Sequence, residues 1–308
     1  MRRILVTGCS GLLGLNLALQ ACDRHTVIGV VQQHSLDGAP FATLRLDLSM
    51  PHVLETLLDG TKPDLVINCA ALADLDVCEA NQQLAYRLNA VVPGELAEIT
   101  AKRDIGLVHI STDAVFDGQR GDYSEEDQPN PINVYARTKL TGEMAVASAN
   151  PKALIARVNF YGWSLFGKRS LAEWFFNNLS AGNQVNGFTD VFFGPLLVND
   201  LADLLLEMAE KQLQGLYHTV SPAYLSKYDF GRLLARQFGL DEHLIQPTSW
   251  KTGGLLAVRA SKLTLRSDRL HRALGRTLPD QASAMQRFHE LYLQGFQKRI
   301  RSFSQNVG

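Results

Sequence analysis

Tyr135 and Lys139 stand four residues apart in Asn133-Val-Tyr135-Ala-Arg-Thr-Lys139-Leu-Thr-Gly-Glu143. On a helix that spacing returns to one face, so phenol and ammonium point the same way. A free tyrosine, with a pKa of about 10, is a poor proton donor or acceptor near neutrality. A fixed cation beside it favours phenolate and draws that value toward the working pH. The pair can therefore make an acid/base catalyst, although the same spacing also occurs on solvated helix faces.

A helix must carry that pair. Pro129 and Pro131 end whatever precedes them, and Val134 to Ala149 reads as helical, with apolar groups at Val134, Leu140, Met144 and Ala145. A second chemical signature opens the chain. The apolar strand Arg3 to Thr7 runs into Gly8-Cys-Ser-Gly11-Leu-Leu-Gly14, and Leu12 to Cys22 is patterned as a helix. That order is the context of a dinucleotide-binding turn. Gly8 permits the tight turn, Gly11 the approach of a pyrophosphate, and Gly14 close helix–strand packing. Ser10, Leu12 and Leu13 belong to the same turn, at the positive helix N-terminus.

The following elements extend this start. Strand Thr26 to Val31 ends in Gln32-Gln33-His34, without the acid that a ribose 2′-hydroxyl favours and without an arginine for a 2′-phosphate. The expected cofactor is NADP, or NAD. Thr43 to Leu46 reads as a third strand, followed by Asp47 and Leu48. Asp47 could accept from the adenine amino group or cap the helix after Pro51. Asp64 to Cys69 is a buried fourth strand leading into Ala70 and Ala71, small enough to leave room for cofactor. Helices fit 81–103, with a fifth strand from Gly106 to Ser111 and a sixth from Ala153 to Val158. Alternating strands and helices predict an α/β fold, a Rossmann-type doubly wound parallel sheet.

The 308 residues balance 30 basic against 31 acidic side chains, a net charge of −1. No electrostatic footprint for nucleic acid is present. The four cysteines show no metal-ligand spacing and read as reduced thiols. Arg2-Arg3 and the apolar run after it imitate a signal peptide, but glycines break the run and no window reaches transmembrane length. The expectation is a cytoplasmic protein with no membrane partner. Beyond Phe160 the chain is rich in aromatics, read as packing of a smaller lobe. Further helices are expected over Val198–Gln212, Tyr228–Phe238 and Leu278–Ile300, with a strand at Gly215–Val220. The expected division is a nucleotide-binding domain over 1–159, joined by 194–220, and a substrate lobe over 160–193 and 221–308.

Gly8-x-x-Gly11-x-x-Gly14, Asn68-Cys-Ala-Ala71, Ser111-Thr-Asp-Ala-Val-Phe-Asp-Gly118 and Tyr135-x-x-x-Lys139 occur in that order. The chain thereby resembles the extended short-chain dehydrogenase/reductase family, and Ser111 to Glu143 looks most like dTDP-4-dehydrorhamnose reductases. The resemblance implies an NAD(P)-dependent reductase of a nucleotide-linked 4-keto-deoxysugar. It assigns Tyr135 as proton donor, Lys139 to the tyrosine's pKa and the nicotinamide ribose, and Thr112 to the carbonyl oxygen. Cys69, Ser111 and Val158 would line the cofactor, and Leu72, Asp113, Ala114, Val115, Phe160 and Arg259 the substrate. It implies a homodimer through helices 81–103 and 134–149.

The chain also departs from the family's pattern. Ala114 and Phe160 stand where tyrosine and tryptophan are common, and Leu72-Ala-Asp-Leu75 replaces a more polar loop. Asn16 replaces a glutamate associated with interfacial magnesium, so no metal is expected. The same fold and residues also suit an epimerase or dehydratase that keeps its NAD, or a non-catalytic regulatory subunit similar to methionine adenosyltransferase β.

Overall fold

The computed structural model describes residues 1–251 and 260–304. Its central sheet contains β1 (Arg3–Thr7), β2 (Thr26–Val31), β3 (Ala42–Arg45), β4 (Leu65–Asn68), β5 (Gly106–Thr112), β6 (Leu154–Val158) and β7 (Gly215–Thr219). They lie in the order β7-β6-β5-β4-β1-β2-β3, and every pairing is parallel. The chain steps outward from β1 to β3, then crosses back to β4 and continues the other way. That reversal opens a crevice at the carboxyl ends of β1 and β4, where ligands of open α/β sheets bind. Thr7 and Asn68 face each other there in register.

Every strand of the sheet except the edge strand β3 feeds two cores. Ile4 and Val6 of β1 join one apolar cluster and Leu5 the other, and Leu65 and Ile67 of β4 alternate likewise with Val66. Burial on both faces explains the nearly unbroken apolar runs. Helices Leu12–Ala21 and Val198–Glu210 cover the first face; Val53–Thr61, Val92–Lys102 and Val134–Ala149 cover the second.

Two long expected helices are broken. Across 81–103 the chain forms Gln82–Tyr86, a π turn at Arg87–Val91, and then Val92–Lys102, preceded by Leu75–Ala80. Asp74 and Asn81 each accept from a backbone N–H of the next turn (Val77, 3.0 Å; Leu84, 3.0 Å) and so start new helices. Pro93 has no N–H for the Asn89 carbonyl four residues back, and the regular ladder gives way at that point. Between 278 and 300, Gly295 adopts φ 74° and separates Gln281–Leu293 from Phe296–Ser302.

Beyond β6 the chain also forms short strand pairs and an aromatic core. Phe160–Tyr161 pairs with Leu196–Leu197, and Val185–Phe188 with Ile245–Thr248. Trp163 is fully buried, stacks on Phe288 with centroids 4.2 Å apart, and donates to the Phe288 carbonyl. These side chains belong to the same apolar cluster as the first face of the sheet. Asn16 ties the two regions together, donating to the carbonyls of Leu12 (2.8 Å) and Trp163 (3.0 Å). Among the described residues no helix is long and apolar enough to cross a membrane.

Candidate active site

The glycine turn follows β1 directly. Gly8 has φ 62°, and a Cβ there would lie 2.8 Å from the backbone of Ala70, in the loop after β4. A Cβ on Gly14 would sit 2.4 Å from the Gly8 carbonyl. The helix that starts here has Gly11 as its N-cap, no side-chain cap and no acid in its first turn. Its first N–H groups are therefore unspent, and the cradle fits a pyrophosphate. The side chains of Leu12, Leu13 and Leu48 are buried, which leaves backbone as their means of contact with a ligand. Cys69 and Ala70 border Gly8, Ala71 follows them in the loop after β4, and Val158 ends β6, two strands from β4.

At the adenosine end, Asp47 does not cap a helix. Its Oδ1 accepts from the Ser49 N–H (2.9 Å) and hydroxyl (2.7 Å), and these bonds hold its carboxyl below the ordinary range. The helix Val53–Thr61 begins instead from His52. The absence of an arginine near Gln32 is corrected in three dimensions: Arg45, at the end of β3, donates from Nε to the Gln32 carbonyl at 3.0 Å. Parallel pairing of β2 and β3 puts the cation there (Val31 opposite Arg45), a neighbour that no local pattern reveals. Arg259 lies outside the described residues. Arg266, seven residues further on, is taken by Asp268 at 2.6 Å.

Helix Val134–Ala149 starts at Asn133, whose Oδ1 accepts from the Ala136 N–H (2.8 Å). This start sets Tyr135 near Thr112, the last residue of β5, and a hydrogen bond with Thr112 favours the phenolate. Burial outweighs it and pushes the phenol up to about 12, with the Asp113 charge adding to the rise. The pull of Lys139 expected from spacing alone is not what governs Tyr135 among the protein's own groups. The Lys139 ammonium is buried and donates to the Ile110 carbonyl at 2.6 Å. Burial draws it down to about 8, against the opposing charge of Glu143.

Three positioning groups escaped sequence reasoning. Glu143, four residues beyond Lys139 on the same face, is buried; it receives Arg157 at 2.8 Å and the Ser111 hydroxyl. An acid at that spacing on a buried face was the available signal. Asn89, in the π turn, accepts from the Leu72 N–H (2.9 Å) and donates to the Leu72 carbonyl (3.0 Å) and the Thr138 hydroxyl (3.1 Å). It clamps the loop after β4 to the Tyr135 helix. A Cβ on Gly142 would come within 2.1 Å of the Asn89 carbonyl, so only glycine permits that approach. Asn159 donates to the Asp113 carboxylate.

A cavity of about 350 Å³ opens over Tyr135, lined among others by Ala73, Leu75, Ala114, Ile132, Asn159 and Phe160. Ala114 and Phe160, expected at the substrate, both line this cavity. Asp113 is buried, its carboxylate held by Asn159 and by the Thr112 hydroxyl (3.2 Å), and lies behind the wall. Val115 is a correction: it is fully buried among Phe116, Tyr123, Val220 and Leu265, with no surface left for a sugar. Leu72 turns toward Cys78, Ala85 and Val134, while its neighbours Ala73 and Leu75 face the cavity.

This arrangement can hold a dinucleotide along the sheet edge and bring a phenol, with a hydroxyl beside it, to a carbonyl placed in the cavity. The family model for the RmlD substrate binding domain matches residues 1–293. The probable low-salt glycan biosynthesis reductase Agl14 of Haloferax volcanii is 37% identical over 78% of this chain and 82% of its own length. The dTDP-4-dehydrorhamnose reductase of Mycobacterium tuberculosis is 33% identical over 80% of this chain and 79% of its own. A dTDP-4-dehydrorhamnose reductase from Bacillus anthracis, solved in complex with NADP, superposes with a TM-score of 0.83 at 23% identity. It covers 94% of this chain and 99% of that one.

Proposed function

The chain belongs to the RmlD substrate binding domain family, and from that premise we propose an NADPH-dependent reductase of a nucleotide-linked 4-keto-deoxysugar. Tyr135 lining a cavity of about 350 Å³, with Thr112 bonded to it and buried Lys139 one turn further along its helix, is the arrangement that supports it. The nicotinamide cofactor, when bound, supplies the hydride. Thr112 and Tyr135 hold the carbonyl oxygen, and Tyr135 hands its proton to that oxygen as negative charge develops there. A phenol held near 12 stays protonated throughout the neutral range, so the donor is always loaded. Lys139 then offsets the charge left on the phenolate and hydrogen-bonds the nicotinamide ribose. Gly8 to Gly14 hold the pyrophosphate, with Cys69, Ala70, Ala71 and Val158 along the cofactor and Asp47 at the adenine. Arg45 beside Gln32 favours a 2′-phosphate and hence NADP over NAD.

We further infer a cytoplasmic homodimer. Four unpaired thiols suit a reducing compartment. Tyr86, Val77 and Met144 are exposed large apolar side chains on the helices from 75 to 86 and from 134 to 149. A cavity of about 390 Å³ between Gln82, Tyr86, Arg137 and Thr141 adds a recess that a second copy would fill. The epimerase and regulatory-subunit readings are not favoured.

The test is oxidation of NADPH with dTDP-4-keto-6-deoxy-L-mannose, for the native chain and Tyr135→Phe. Turnover should fall by about 10²-fold or more in the variant while NADPH affinity is kept. Full turnover by the variant would refute the assigned donor.

A further inference from the structure

Two sets of elements meet at the cavity over Tyr135. Ala114, Asn133 and Tyr135 line it from the end of β5 and the start of the helix Val134–Ala149. Val191, Phe193 and Lys227 line it from the strand Phe192–Phe193, the residue before it and the helix Lys227–Phe238. The Lys227 N–H donates to the Val191 carbonyl at 3.0 Å, and Leu225–Ser226 pairs with Phe192–Phe193. The lysine is thereby fixed against that wall.

Among the described lining residues Lys227 is the one cation, and no carboxylate stands with it. The Asp229 carboxylate is taken up by the Ser226 hydroxyl (2.6 Å), and Asp113 lies behind the wall on the Tyr135 side, where Asn159 holds it. Asn133 spends its Oδ1 on the Ala136 N–H (2.8 Å), which leaves its amide donors. A cleft lined by one sign of charge concentrates ligands of the other. Lys227 is partnered within the chain, and an ammonium with three donors can take a further oxygen. The sugar of a 4-keto nucleotide sugar carries its ketone at C4 and its diphosphate at C1, across the ring. With the ketone at Tyr135, the diphosphate faces away from Asp113, toward the other wall. Resting on the reductase reading, we infer that Lys227 holds an oxygen of the substrate's diphosphate and so fixes which end of the sugar meets Tyr135.

The experiment measures dTDP binding to the full chain with NADPH already bound, for the native protein, Lys227→Met and Lys227→Arg. Lys227→Met should weaken dTDP by about tenfold or more and flatten its loss of affinity with added salt. Lys227→Arg should keep most of the affinity, and NADPH should bind all three proteins alike. The KM for dTDP-4-keto-6-deoxy-L-mannose should rise with the dTDP dissociation constant. Native affinity for dTDP in Lys227→Met, equal losses in both variants, a loss of NADPH affinity instead, or no dTDP binding by the native chain would each overturn the assignment and leave the reductase standing. A native chain that binds NADPH but does not oxidise it with the keto sugar would overturn the reductase reading, and this inference with it.

Discussion

Replacing Asp113 by asparagine should stabilise the protein at neutral pH. The side chain is 4% exposed, and burial pushes its carboxyl up to about 6 from 3.8, although Asn159, Thr112 and backbone N–H groups all favour the charged form. A rise of about two pH units at about 1.36 kcal/mol each makes the ionised carboxylate cost about 3 kcal/mol near neutrality. The sign follows from proton binding. Between about 4 and about 6 the folded state holds a proton that the unfolded state has released, so stability is lost as pH rises through 6. Asparagine is never charged and escapes that loss. The bonds from Asn159 and Thr112 are already contained in that shift, so nothing more is subtracted for them. The expected gain is at most about 3 kcal/mol at about pH 7.5, vanishing near pH 4, by denaturant titration of both proteins at both pH values. A variant less stable than the native chain by the same amount at both pH values would refute the electrostatic account. Asp113 would then be an ordinary hydrogen-bonded anchor.

Two further outcomes can be checked on the same preparation. Gly142→Ala forces a methyl within 2.1 Å of the Asn89 carbonyl and should cost about 1–3 kcal/mol, with reduced turnover, as the Tyr135 helix is pushed off the π turn; an unchanged thermal midpoint would show that the contact is not limiting. Turnover should decline as pH rises through about 8, where the depressed Lys139 ammonium loses its charge; a rate flat to about pH 10 would exclude an ammonium requirement.

What was legible in the sequence is what is local. The glycine spacing, the strand before it and the apolar run of β4 depend on near neighbours. The doubly wound order followed from them, and so did the Tyr135–Lys139 spacing. The break at Arg87–Val91 was not legible, because Val92, Leu96 and Ala97 keep an amphipathic period that conceals the extra residue upstream. Groups joined across long separations were also hidden. Asn89 reaches Thr138, Glu143 reaches Arg157, and Arg45 reaches Gln32 only through sheet and helix packing. Spacing could aim Lys139 at Tyr135, but the phenol's proton affinity is set by burial, which a sequence does not display. Val115 shows the opposite failure: a place in a motif beside site residues does not turn a side chain toward the site.

The single apolar cluster that runs from Ile4 in β1 through Trp163 and Phe288 to Phe303 bears on how the molecule comes apart. Two regions that share interdigitated side chains have no plane along which one can melt while the other stays intact. Heating should therefore give one calorimetric transition, not two. Expressing the chain as two pieces cut near residue 159 would leave each with a raw hydrocarbon face, prone to aggregate unless the pieces are made together. Movement of the smaller lobe as a swinging gate is likewise disfavoured, and traffic into the cavity has to use the openings between side chains that already exist.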